Sequence, residues 1–167
     1  MFVFQQVEGD KKTRYENILK QLTYLLEGEK DWLANLANTA SHLYNSLEQV
    51  NWAGFYLMKD GELVLGPFMG NPACVRIRVG KGVCGTAVAE NKTQLVEDVL
   101  KFPGHIACDA TTRSEIVIPL RVNGEIIGVL DIDSPVEKRF DEEDQKYLEQ
   151  YAQILLQQTD WTPLLKG

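Results

Sequence analysis

The sequence predicts an α+β layered domain in which helices from the two ends of the chain pack on a central antiparallel sheet. Three observations carry this. Apolar residues recur at helical spacing near both ends, turn residues break the middle into short β-rich runs, and Asn123-Gly124 marks a two-residue hairpin. The 167 residues suit one domain spanning 1–167, and 44% hydrophobic residues suffice for a core.

In chain order, Tyr15, Ile18, Leu19, Leu22, Leu25 and Leu26 line one face of a first helix. Leu33, Leu36, Ala37, Ala40, Leu43, Tyr44 and Leu47 line a second, behind a cap at Asp31. Trp52 to Met58 is an apolar strand, Lys59-Asp60-Gly61 turns it, and Glu62 to Leu65 returns. Val75 to Val79 reads as another strand. Gly80-Lys81-Gly82 leads into a short helix around Thr86 to Glu90, and Gln94 to Val96 is extended. Ile116 to Val122 and Glu125 to Asp133 form the clearest hairpin. Asp141 caps a last helix whose first turn is acidic and whose inner face is Tyr147, Leu148, Tyr151, Ala152, Leu155 and Leu156. Asp98 to Ser114 has no sustained period yet contains Phe102, Ile106 and Cys108, the pattern of an ordered functional loop.

The formal net charge of −7 argues against a nucleic-acid surface, which needs clustered positive charge. Small basic spots, Arg76 to Lys81 and Lys138-Arg139, fit a solvated surface. No basic residue precedes the short apolar stretch after Met1, and no run approaches the roughly 20 apolar residues of a membrane span. A soluble cytoplasmic protein with no nucleic-acid or membrane partner is expected.

Candidate chemistry begins with acids. Asp131 and Asp133 share a strand face, roughly 6–7 Å apart, with Ile126, Gly128, Leu130 and Ile132 on the other. The Asn-Gly turn pairs Val122 with Glu125, and that register sets Ser114 opposite Asp133 with Glu115 beside it. Three carboxylates then gather at one end of the hairpin. Like charges in proximity disfavour ionisation, so one carboxyl is expected to stay protonated as a general acid, or a ligand ammonium to neutralise the group. The alternative is a plain wet strand end, with Ser134-Pro135 just beyond. Trp52, Gly54 and Tyr56 share one face of the first strand. Gly54 either opens a slot between the rings for a small apolar group or serves ordinary packing.

The cysteines are Cys74, Cys84 and Cys108, with no C-x-x-C spacing. A reducing compartment makes a structural disulfide unexpected and leaves inert burial, a metal site or redox catalysis. A zinc site of three thiolates with His105 matches no common spacing. Cys84, before Gly85 at a helix start, sits where a thiolate is stabilised. Cys108 lies in the irregular loop, followed by Asp109.

The chain resembles the free methionine-(R)-sulfoxide reductases, a branch of the GAF superfamily, over nearly its full length. The resemblance is carried by NWAGFYL from Asn51, LGPFMGNPACVRIRVGKGVCGTA from Leu65, FPGHIACDATTRSEIVIPL from Phe102 and GEIIGVLDIDSP from Gly124. It implies a GAF-like antiparallel sheet, with the terminal helices on one face and a loop-lined ligand pocket on the other. It implies reduction of free L-methionine-(R)-sulfoxide to methionine, with Cys108 as nucleophile, passing through a sulfenic acid to an intramolecular disulfide. Cys74 would be the resolving thiol and Cys84 a resolving or recycling one. Trp52 and Tyr56 would enclose the sulfoxide methyl. Glu115, Asp131 and Asp133 would bind the ammonium, with Glu115 the candidate acid and Asp133 an ammonium ligand. No bound cofactor and no metal are implied; thioredoxin would be the external reductant. The N-terminal helical pair and the C-terminal helix offer a face for a homodimer. The competing functions are a ligand-binding GAF sensory module and a thiol-based peroxide sensor without reductase activity.

Overall fold

In a computed structural model of the chain, residues 1–165 are described. Asp10 opens α1 (Lys11–Leu25), accepting from the Thr13 amide, and Asp31 opens α2 (Trp32–Ser46), accepting from Ala34. The strands β1 (Trp52–Lys59), β2 (Glu62–Gly70) and β3 (Arg76–Arg78) follow, then α3 (Gly82–Glu90) and β4 (Gln94–Val96). The long hairpin is β5 (Ser114–Val122) and β6 (Glu125–Ser134), and α4 (Glu142–Gln158) closes the fold. The six strands form one antiparallel sheet in the order β3-β2-β1-β6-β5-β4. No helix of the described residues is long and apolar enough to cross a membrane.

Strand alternation divides the interior into two layers. Ala53, Phe55 and Leu57 of β1 and Ile116, Ile118 and Leu120 of β5 face α1, α2 and α4 in the larger core. Trp52, Tyr56, Val117 and Val129 face the other way, beneath α3 with Val83, Cys84 and Ala87. Burying side chains such as Phe55, Leu130 and Ile132, all 0% exposed, stabilises the sheet–helix contact by roughly 1.5–3 kcal/mol each.

The helical layer is also tied by polar contacts. Asp141 and Asp144 form a reciprocal capping box at α4. Fully buried Asp144 also accepts from the Tyr15 hydroxyl at 2.5 Å and from Lys11 Nζ at 2.8 Å. The Lys11 ammonium and the capping amide together hold Asp141 down to about pKa 2, the amide being the larger influence. His42 of α2 is held between Tyr151 and Gln21, each at 2.8 Å, and burial lowers its pKa to about 4.

The hairpin departs from its expected register. Asn123 and Gly124, with φ of 53° and 79°, make the tight turn, and Val122 pairs with Glu125 and Arg121 with Ile126. Leu120 then pairs with Gly128, so Ile127 is an extra residue on β6, a β-bulge. From there Ser114 pairs with Ser134 and Glu115 with Asp133, not Ser114 with Asp133. Residues directly opposite in an antiparallel pair share a face. The uninterrupted register would have set Glu115 opposite Ile132, on the helix side and away from both aspartates. The bulge also sends Ile127, 2% exposed, into the helix-side core where the sequence suggested Ile126.

Candidate active site

With the bulge in place, cross-strand pairing lays Trp52, Asp133, Glu115 and Val96 in one row over β1, β6, β5 and β4. Asp131 sits in the next row between Gly54 and Val117. All three acids face away from the terminal helices. Above them α3 brings in Cys84, whose thiol donates to Asp131 Oδ2 at 3.5 Å. The cavity between sheet and α3, about 40 Å³, is lined by Trp52, Tyr56, Cys84, Cys108, Asp131 and Glu115, with Asp133 alongside.

Two loops roof this cavity, and a disulfide joins them: Cys74 to Cys108, with Cα atoms 5.4 Å apart. The segment carrying Cys74 is pinned by the polar ends of the two aromatics. Trp52 Nε1 donates to the Asn71 carbonyl at 3.1 Å and the Tyr56 hydroxyl to the Cys74 carbonyl at 2.8 Å. The segment carrying Cys108 is tied to the start of β1. Asn51 Nδ2 donates to Thr111 Oγ1 and Thr112 Oγ1, both at 3.1 Å, and to Asp109 Oδ2 at 3.3 Å. Asp109 in turn accepts from the Thr111 amide and hydroxyl, which hold its carboxyl below the usual range. The expected functional loop is therefore an ordered segment, with buried Val99 in a short 3-10 turn and backbone bonds from Val99 to Arg113 and from Arg113 to Ser134. Ile106 packs on Gly82 at the start of α3. A β-carbon there would lie 3.1 Å from the Ile106 side chain, and the backbone at φ +62° suits glycine.

Burial raises the pKa of Glu115, Asp131 and Asp133, and their mutual repulsion adds to it. Asp133 is half-buried as a residue, but its Oδ1 is fully enclosed and unpartnered, as is Oδ1 of Asp131. The expectation of a stabilised thiolate at Cys84 is reversed. Its sulfur is fully enclosed beside Asp131, and burial followed by that carboxylate keeps it a thiol. Of the two readings of Gly54, ordinary packing holds and no slot is present. Phe68 stands so close that a Gly54 β-carbon would meet the Phe68 Cβ at 2.3 Å, and Trp52 stacks on Phe68 at 5.1 Å between centroids. Trp52 and Tyr56 stack at 5.9 Å and wall the cavity without that gap. The imagined set of three thiolates with His105 does not form here, because Cys74 and Cys108 are bonded to each other. His105 lines the same cavity. A different donor set is assembled: Cys84, Glu115 and Asp131 each bring one ligand atom to within 4.8 Å of the others.

Asn51, Asp109 and Thr112 are the site residues that sequence reasoning passed over. Their signal was a polar residue directly before an apolar strand and a threonine pair just before the next one, which is weak without knowing that the two strand ends meet.

A curled antiparallel sheet carrying an acid-floored, loop-roofed cavity with a disulfide-bonded cysteine pair is an architecture of the GAF class. The chain belongs to the GAF domain family, whose model matches residues 33–156, and within it to the group that includes the free methionine-R-sulfoxide reductases. It is 60% identical to Protein YtsP of Bacillus subtilis, over 93% of this chain and 96% of that protein. It is 57% identical to the free methionine-R-sulfoxide reductase of Escherichia coli, over 84% of this chain and 86% of that protein. Among solved structures, the Neisseria meningitidis free methionine-R-sulfoxide reductase in complex with its substrate superposes with a TM-score of 0.91 at 46% identity, covering 95% of each chain.

Proposed function

We propose that this protein reduces free L-methionine-(R)-sulfoxide to methionine. The observation that carries the proposal is the Cys74–Cys108 disulfide roofing a cavity floored by Glu115, Asp131 and Asp133. Two thiols positioned to pair above acids whose pKa values are raised by burial and mutual repulsion are the parts that sulfoxide reduction requires.

The Cys108 thiolate attacks the sulfoxide sulfur. Sulfoxide oxygen leaves poorly as an anion, so a neutral carboxyl, assigned to Glu115, protonates it. The sulfoxide sulfur gains two electrons and departs as methionine. Cys108 loses two electrons and becomes a sulfenic acid. The Cys74 thiol then attacks that sulfur, water leaves, and the disulfide forms. A dithiol carrier of the thioredoxin type returns both thiols by exchange. Cys84 is not in this disulfide, and its enclosed thiol suits a slower, supporting role.

Asp133 and Asp131 hold the substrate ammonium. A peptide-bound methionine sulfoxide lacks that charge, which accounts for selection of the free amino acid. Trp52 and Tyr56 enclose the methyl group. In the disulfide form Cys108 is bonded to Cys74 over the cavity, so the nucleophile is unavailable until that bond is reduced. Reduction returns the Cys108 thiol that attacks the substrate.

The test is a thioredoxin-coupled assay on free R epimer, free S epimer and a peptide containing the oxidised residue. Turnover of the free R form alone is expected. Equal rates on the peptide would remove the ammonium-binding role. Oxidation by peroxide without methionine release from any sulfoxide would leave a peroxide sensor instead. A Cys74→Ser variant should release one methionine per chain and stop with Cys108 trappable as the sulfenic acid, whereas Cys108→Ser should release none.

A further inference from the structure

The acidic floor pairs with no basic side chain of the described residues, although Lys81 and His105 line the same cavity. Among the described residues, no lysine, arginine or histidine forms an ion pair with Glu115, Asp131 or Asp133. Buried charge without a partner is costly and invites protons or a positive ligand. Asp131 is 5% exposed, lines the cavity and leaves its Oδ1 without a hydrogen-bond partner. Its Oδ2 lies 3.5 Å from the Cys84 sulfur.

From these contacts we infer that Cys84, Glu115 and Asp131 form a binding site for a borderline-soft divalent cation of the zinc class. The three ligand atoms lie within 4.8 Å of one another and come from three separate elements, α3, β5 and β6. Zn–S near 2.3 Å and Zn–O near 2.1 Å at a tetrahedral angle give an S···O edge of about 3.6 Å. The Cys84–Asp131 separation of 3.5 Å already matches that edge, and the Glu115 oxygen lies within 4.8 Å of both. One sulfur and two carboxylate oxygens suit zinc, whereas magnesium and calcium require six or more oxygens. The cavity beside them supplies the open fourth position, with room for a water.

On binding, Cys84 gives its thiol proton to solvent, any proton shared by the two carboxyls follows, and the metal keeps its +2 charge and oxidation state. The site does not use Cys74 or Cys108, so it is complete in either redox state. Its regulatory consequence rests on the proposed function. A cation on Asp131 and Glu115 occupies the oxygens assigned to the substrate ammonium and to the acid, so zinc competes with the sulfoxide.

The oxidised protein makes the test clean, because Cys84 is its free cysteine among the described residues. Cobalt(II) chloride added to disulfide-intact protein should give a thiolate-to-cobalt charge-transfer absorption that saturates at one equivalent, and zinc should abolish it. A Cys74→Ser/Cys108→Ser double variant should give the same absorption with the roof unlocked. Cys84→Ser should lose it. Glu115→Gln and Asp131→Asn should each weaken cobalt binding at least about tenfold, the scale seen when even an orienting partner of a ligand is lost. If Cys84→Ser fails to fold, the two carboxylate variants carry the decision. Absence of the absorption from both the oxidised protein and the double variant overturns the site, and so does unchanged affinity in both carboxylate variants. In the reductase assay, zinc should raise KM for the sulfoxide at constant kcat, and inhibition that excess sulfoxide does not relieve overturns the competition. A protein that turns over no sulfoxide yet binds cobalt through Cys84 would remove the proposed function and leave the metal site standing.

Discussion

Neutralising one acid of the cavity floor should stabilise the protein while disabling it, and the gain should depend on pH. Asp131 is the sharpest case. It is 5% exposed, no ion pair of the described residues reaches it, and one of its oxygens has no partner. Burial and the Glu115 charge raise its pKa above the unfolded value. A group raised on folding leaves stability intact below the unfolded carboxylate range, near pH 4. It withdraws stability as pH climbs through the folded pKa, because the unfolded chain then ionises more readily. Asp131→Asn removes that loss and keeps an acceptor for the Cys84 thiol. Each pKa unit of that elevation is worth about 1.4 kcal/mol of stability at pH values above the folded pKa. For a chain of this length each kcal/mol gained raises Tm by about 2–4 °C. Thermal unfolding of the disulfide-intact protein, followed by near-ultraviolet circular dichroism from pH 4.5 to 8.5, checks it. The two proteins should melt together at the acid end and diverge as pH rises, with the variant higher. A variant that melts below the parent at pH 8, or a gain independent of pH, would refute the reasoning.

Other outcomes follow from the fold. His42 has a folded pKa of about 4 against 6.5 for the free group, so the protein should lose up to about 3 kcal/mol as pH falls from 6.5 to 4; His42→Gln should flatten that part of the stability curve in urea titrations. Asp141→Ala should cost about 1 kcal/mol at neutral pH by removing the α4 capping box, read as a lower urea midpoint at unchanged slope. Gly54→Ala should cost about 3 kcal/mol or more, because its β-carbon meets Phe68 Cβ at 2.3 Å, visible as a large drop in Tm. Asn51→Ala should leave the fold stable but slow sulfoxide turnover, because it unties the Cys108 loop at Asp109, Thr111 and Thr112.

Where a residue's surroundings repeat with the period of its element, the sequence was informative. The helix around Leu22, the strand from Trp52 and the Asn123-Gly124 turn all lie where spacing and turn chemistry set them. The site was legible as a list of residues more than as an arrangement. Glu115, Asp131 and Asp133 were recognised as a cluster, but the register offered for them was wrong, since an unpaired Ile127 leaves no mark in a run of β-formers. Cys84 looked activated because its position near a helix start is local information. The acids that suppress its thiolate arrive from strands more than thirty residues away. Whether Gly54 opened a slot or served packing was undecided from local sequence, because Phe68 reaches it only through strand pairing. Asp144 reads as a solvated first-turn acid until α1 delivers Tyr15 and Lys11 to it.

The unpaired Ile127 also bears on how this site tolerates change. Parity along β6 decides whether Asp131 and Asp133 look toward the cavity or into the helical layer, and one inserted residue sets that parity. A single-codon deletion between Gly124 and Gly128 would preserve every chemical group of the site and scatter them over two sides of the sheet. Lineages that keep this chemistry should therefore hold the length of that hairpin constant.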